Sequence, residues 1–364
     1  MISHQPAQIM ALIRSGKMVN IGGRPVLIPN SKPPRSTPPK SEPPIPPQLG
    51  HRRAESLKVA LAFAAIYLVW GSTYLAIRYA VETIPPLVTA GIRHTVAGSV
   101  LLAWAYARGF RARREHWIAG AVLGALFFLV GHGSLHWAEQ HVSSGLAALL
   151  IATEPMFILI LAWALGQQKI SPLSALGLAF GVIGVALLLG AELTLKGSSL
   201  WGLIAVLVGS LSWAAGVVLS PKLRLPEDAL ARTAVPLVCG AGMLLAAAAA
   251  TGEFHSLHWA AVSLKSVLGL AYLISFGSIV AFTAYTWLLQ RCPPALVATH
   301  TYANPVVAVL LGWLLAGEIL SARLVLASVA ILGAIVLIRK GERIAERRTD
   351  ASAPAHATSF SECA

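Results

Sequence analysis

Ten apolar blocks, each of about twenty residues and so long enough to cross a hydrocarbon core as a helix, limit what this chain can fold into more than any other feature. They lie at about 57–80, 86–108, 117–137, 142–166, 172–190, 201–220, 230–250, 265–289, 294–317 and 321–339 of the 364 residues, boundaries of this kind being good to a few residues. Runs such as AVLGALFFLV at 121–130 are apolar on every side. A transmembrane barrel strand would alternate apolar and polar residues, so a barrel is excluded. Composition points the same way, with 56% hydrophobic residues, only 12% charged and a mean hydropathy of +0.70. Soluble domains carry about 25% charged residues. The fold class expected is therefore an all-α polytopic membrane protein of ten transmembrane helices.

The formal net charge of +13 is explained by where the cations fall. Ten spans place both termini on one side. That side carries 23 of the 28 Lys and Arg residues, the opposite side four (Arg78, Lys196, Lys265, Arg323), and Arg93 lies within a span. By the positive-inside rule both termini are cytoplasmic, and the lipid bilayer rather than nucleic acid is the partner that the charge implies. Residues 1–56 hold eleven of the 22 prolines, concentrated in SKPPRSTPPKSEPPIPPQ, and are expected to be a disordered, extended cytoplasmic segment. Residues 340–364 are polar and basic and are expected to be a disordered tail. The three cysteines, Cys239, Cys292 and Cys363, suggest no disulfide framework.

The chain also repeats itself. At an offset of 150, Trp137, Gln140, Pro155, Trp163 and Ser171 align without gaps on Trp287, Gln290, Pro305, Trp313 and Ser321. An offset of 143 brings Trp70 onto Trp213. Two five-helix repeats result, at 57–190 and 201–339. Five is odd, so the second copy enters the membrane from the opposite side and the repeats are inverted. Inverted repeats are the architecture of transporters that bind solute near the midplane and alternate access by rocking. An enzyme has no need of such symmetry, and an intramembrane hydrolase is disfavoured further because no aspartate lies within the ten blocks.

The sequence resembles the EamA-type transporters of the drug/metabolite transporter superfamily over about 57–339. The residues that carry the resemblance are AIYLVWGSTYLAIRYAVETIPPLVTAGIRH at 65–94, SSGLAALLIATEPMF at 143–157, GSLSWAAG at 209–216 and PALVATHTYANPVVAVLLGWLLAGEILS at 294–321. WGSTY, the early PP and AGIRH make it similar to the YedA-like branch of bacterial inner-membrane proteins. The resemblance implies a secondary transporter of the inner membrane exporting a small metabolite or amino acid, with carriers of sugars, nucleobases or drugs as the alternative. A channel or receptor is a weaker alternative. Where the family often closes the fourth helix with G-E, this chain has GQQ at 166–168.

Charged groups inside a span are costly and are functional candidates by default. Glu154 is central in the fourth block, and its repeat partner Asn304 also falls near mid-span. Pro155 and Pro305 follow directly and are expected to kink their helices, freeing carbonyls at the midplane. A carboxyl held in low dielectric can take up and release a proton, which makes Glu154 the candidate proton carrier; the competing reading is a permanent pair with Arg93. Arg93 is otherwise a candidate for binding a substrate anion or for gating. His132 and His300 are candidate proton relays. Trp70, Ser72, Tyr74, Trp213, Tyr272 and Tyr302 are expected to line the pathway, since their polar tips need partners away from lipid. No H-E-x-x-H or C-x-x-C motif occurs, so neither a metal nor a cofactor is expected. A small-molecule solute and the bilayer are the expected partners, with a homodimer as an option.

Overall fold

A computed structural model describes residues 19–21, 24–26, 49–192, 200–292, 294–297 and 299–350. It divides into two units, Met1–Arg52 and Arg53–Ala364. In the first, strands β1 (Val19–Ile21) and β2 (Arg24–Val26) pair antiparallel, Val19 opposite Val26. The rest of the expected disordered segment lies outside the described residues.

The second unit is helical. Its helices are α1 (Glu55–Ala80), α2 (Pro86–Ala107), α3 (Arg114–Ala138), α4 (Ser144–Ala164), α5 (Pro172–Glu192), α6 (Leu200–Lys222), α7 (Ala229–Ala250), α8 (Leu264–Leu289), α9 (His300–Ala316) and α10 (Ala322–Asp350). Among the described residues, nine are long and apolar enough to cross a membrane. The remaining one, α9, has 17 residues. The block expected at 294–317 is instead divided into a single turn, Pro294–Val297, and α9, with Thr299 in a turn directly before it. α9 continues as one helix through the buried Pro305, and the turn at Thr299 precedes it. In α4 the interruption does fall at the expected place. Ser144–Ile151 ends at a turn over Ala152 and Thr153, and Glu154–Ala164 restarts with Pro155 in its first turn, where its missing N–H costs nothing.

The tail expected to be disordered from 340 is a helical continuation of α10 as far as Asp350. Beyond the apolar stretch an i,i+3 ion pair, Arg339 with Glu342 at 3.6 Å, supports the extension. Among the described residues Cys239 is a free thiol.

Two helix pairs pack most extensively, α2 on α7 and α5 on α10. Small residues permit the approach. Gly91 and Gly98 face Leu245 and Val238, and Gly177 and Gly184 face the Ala334 and Ala327 carbonyls of α10. α1 packs on α8 and α9, and α6 packs on α3 and α4. Between them sits the central apolar cluster, with Ile77, Leu149, Leu150, Leu203, Leu273 and Ile331 all at most 1% exposed. Large apolar residues such as Val182, Leu314 and Val329 cover the outer surface, as lipid contact requires.

Candidate functional site

Three helices contain a π-helical stretch, a geometry that often marks functional positions. These are Ala65–Val69 in α1, Gly124–His132 in α3 and Leu273–Val280 in α8. The stretch in α1 ends directly before Trp70, that in α3 ends on His132, and that in α8 carries Gly277 and Ser278.

Around α1, α8 and α9 the expected lining residues meet. Trp70 Nε1 donates to the Gly277 carbonyl at 3.1 Å, and its ring lies 5.2 Å from that of Tyr285 and 4.8 Å from that of His300. His300 Nδ1 donates to the Val297 carbonyl at 2.9 Å. Ser72 and Tyr272 share a 2.6 Å hydrogen bond between their hydroxyls, and Ser72 also donates to the Val69 carbonyl. Tyr74 and Tyr302 are part-buried against the central apolar cluster.

A second group lies where α2, α3 and α6 meet. His132 Nδ1 is 2.8 Å from His94 Nε2, and the His132 ring stacks on Trp213 at 5.3 Å and 16°. One turn on, His136 Nδ1 donates to the His132 carbonyl at 2.7 Å. His94 and His136 are both fully buried, and each keeps one ring nitrogen without a partner. His132 and His300 thus belong to separate clusters.

Arg93 joins the two groups. It is 3% exposed, and its Nε donates to Ser278 Oγ of α8 at 3.0 Å. Among the described residues it forms no ion pair, with Glu154 or any other carboxylate. The permanent Arg93–Glu154 pair entertained from the sequence is therefore absent. Glu154 stands as the first residue after the turn in α4, part-buried and without an ion pair. Tyr74 lies within reach of the charges of both Arg93 and Glu154. Asn304 presents a buried side-chain oxygen with no partner. Its backbone carbonyl lies 3.1 Å from the Cβ position of Gly71, so α1 and α9 touch at that level.

Sequence reasoning overlooked a polar assembly at the end where α1 finishes. Arg78 Nη1 pairs with Glu318 at 2.7 Å. Glu318 also accepts from Ser144 N and Ser144 Oγ, both at 2.8 Å, and from Gly145 N at 3.1 Å, so it caps α4 with its charge on the positive end of the helix. Gly317, left-handed at φ 65°, ends α9 and turns Glu318 toward α4. The usable signal was the G-E after the ninth block. Gly166, at φ 67°, ends α4 in the same way but is followed by Gln167 and Gln168. Among the described residues no group of three His, Cys, Asp or Glu side chains could hold a metal.

Helices of this length and apolarity, with a buried cation and unpartnered polar groups inside the bundle, describe a polytopic membrane protein. The chain belongs to the EamA-like transporter family, whose pattern matches residues 57–190 and 200–340. It is similar to the uncharacterized inner membrane transporter YedA of Escherichia coli strain K12, 39% identical over 77% of this chain and 90% of that protein. It is also similar to the uncharacterized transporter YoaV of Bacillus subtilis strain 168, 28% identical over 76% of this chain and 94% of that protein. A solved crystal structure shares the fold at a TM-score of 0.54 and 22% identity, covering 79% of this chain and 98% of that one. The protein is accordingly a multi-pass protein of a bacterial inner membrane.

Proposed function

We propose that the protein is a secondary active transporter that exports a small metabolite or amino acid by alternating access, with a proton carried on Glu154. Both termini face the cytoplasm in this reading, as the distribution of Lys and Arg favours. The two halves, 57–190 and 201–339, act as inverted repeats. In support, α2 pairs with its own counterpart α7 and α5 with α10, and the contacts of α1 with α8 and α9 mirror those of α6 with α3 and α4. The π-helical stretches of α3 and α8 also fall at matching positions of the two halves.

The observation that carries the reading is Arg93. A buried guanidinium with five donors and no carboxylate partner is costly, and a protein keeps one where an anion arrives to complete it. A solute carboxylate seated on Arg93 would complete its unused donors, and Glu154 is the carboxyl within the bundle left to receive an ammonium group or a proton. Trp70, Tyr285 and His300 supply the flat, part-polar walls suited to a small organic solute.

Flux tests this assignment. Proteoliposomes are loaded with a mixed pool of labelled amino acids, other carboxylates and neutral metabolites, and wild type is compared with Arg93→Gln. Selective loss of the carboxylate-bearing members in the variant is the result expected. Equal transport of those members by both proteins would remove Arg93 from solute recognition.

A further inference from the structure

Glu139 has no role in the scheme above, yet its placement is unusual. It stands directly after α3, in the five-residue connection to α4. It is 3% exposed, and among the described residues no side chain hydrogen-bonds its carboxyl, the Arg78 backbone being the one hydrogen-bonding group that acts on it. The connection leads directly into Ser144 and Gly145, the first residues of α4, whose backbone N–H groups hold Glu318. Next to it, Gln140 donates to the Val81 carbonyl at the end of α1 at 3.3 Å, and Ala138 and Val142 pack in one cluster with Ile77 and Val81. Glu139 therefore sits immediately behind the Arg78–Glu318 pair. The charged groups acting on it are Glu318 from α9, Arg78 from α1 and Arg93 from α2, with Tyr74 of α1 also coupled to it. On its own element the nearest titratable side chains are His136 and His141.

We propose that Glu139 is a proton-binding site separate from Glu154, and that its occupancy latches this end of the bundle shut. In the latched state Arg78 is neutralised by Glu318, and Glu139 is a neutral acid. Burial pushes its carboxyl well above the usual carboxylate range, and the Glu318 charge pushes the same way while Arg78 opposes. Opening withdraws α9, and with it Glu318, from Arg78, Ser144 and Gly145. Glu318 is then hydrated. Arg78 would be left beside α3 and α4 with no counter-charge, and Glu139 supplies one by ionising. Its proton leaves to water on the side that has just opened, so charge is conserved: Arg78 exchanges one carboxylate for another, and one proton is released per opening. The proton returns from the same side on closing and never crosses the membrane. In the orientation proposed above that side is the periplasm, so periplasmic acid holds the end closed and alkali favours opening. The consequence for flux rests on the transporter reading, but the latch itself is a property of the protein without solute.

The test measures distance across the latch. Spin labels replace two exposed residues, Glu82 after α1 and Ile319 after α9, in a full-length chain with Cys239, Cys292 and Cys363 changed to Ser, reconstituted without solute. One proton released on opening limits the change in open-to-closed ratio to about tenfold per pH unit, so pulsed dipolar spectra at about pH 5.5 and about pH 8.5 span a large change. A longer-distance component that grows with pH in the parent and is missing at both pH values in Glu139→Gln is the expected result. Arg78→Gln leaves Glu318 capping α4 but removes the charge that ionised Glu139 would neutralise, so the growth of the long component with pH is expected to vanish. A parent without pH dependence would overturn the proposal. So would a Glu139→Gln protein that still opens with rising pH, or an Arg78→Gln protein that still closes on acidification. The Arg78 variant gives a decision even where the Glu139 variant fails to fold.

Discussion

Replacing Glu318 by Ala should destabilise the bundle more than any other single loss of charge near this end. The carboxylate holds two backbone N–H groups at the start of α4, the Ser144 hydroxyl and Arg78, at 2.7 to 3.1 Å. Stranding the two backbone donors at a buried helix start costs about 1–2 kcal/mol each. The Arg78 side chain is 34% exposed, so solvent screens its half of the pair and its loss adds at most about 1 kcal/mol. Together these give about 2–5 kcal/mol, which corresponds to a fall in Tm of about 5–10 °C. Glu318→Gln retains an acceptor and should lose about half as much. Arg78→Ala leaves the cap in place and should cost about 1 kcal/mol or less. The control is Lys265→Ala, which breaks a shorter ion pair to Glu82, at 2.6 Å, whose side chains are 49% and 40% exposed. Intrinsic tryptophan fluorescence during thermal unfolding in detergent, at one scan rate, reads all four variants. Equal shifts for Glu318→Ala and Lys265→Ala would refute the reasoning that capping, rather than pairing, gives Glu318 its weight.

Three further outcomes follow from the packing and the polar clusters. Gly124→Val should lower the folded yield sharply, because a Cβ there meets Gly240 N at 2.7 Å and the Pro236 carbonyl at 2.9 Å, backbone that cannot move aside, whereas Gly242→Ala, with nothing within 4 Å, should be neutral or mildly stabilising; size-exclusion recovery distinguishes them. His132→Phe should cost about 1–3 kcal/mol by leaving His94 with no partner on either nitrogen, and the double variant with His94→Phe should recover part of that cost, a coupling read from Tm in a double-mutant cycle. Glu253 caps α2 through Leu87 N and Val88 N, and burial raises its carboxyl above the ordinary range. The folded protein then binds more protons than the unfolded chain between the ordinary and the raised value, so this group's contribution falls as pH rises through that window. Glu253→Gln should remove that slope, and melting curves across pH check it.

Much of the fold was legible because its physics is one-dimensional. An apolar run of sufficient length needs a helix whatever its neighbours do, so nine of the blocks stand as expected at 57–289 and 321–339, while the block at 294–317 was read as continuous because a short turn before His300 leaves no trace in hydropathy. Trp70, Tyr285 and His300 could be placed inside the bundle from their polarity, but not beside one another, since that depends on the π-helical turns of α1 and α8. The Arg93–Glu154 pair is absent because two charges in neighbouring spans meet only if their helices turn those faces together, which the sequence does not state. Arg78, Glu139 and Glu318 escaped notice because charges at span ends read as interfacial, and only the assembled bundle turns them toward each other. The helical tail to Asp350 was missed because a basic, polar run has no apolar periodicity to reveal it.

Proton-driven solute movement through Glu154 is the central claim, and one flux experiment meets it directly. Proteoliposomes holding a labelled pool of amino acids and small carboxylates are subjected to an imposed pH gradient, with wild type and Glu154→Gln compared at equal protein load. The account predicts saturable, gradient-driven movement of at least one pool member that the substitution abolishes. Gradient-driven movement that persists undiminished in Glu154→Gln would contradict it.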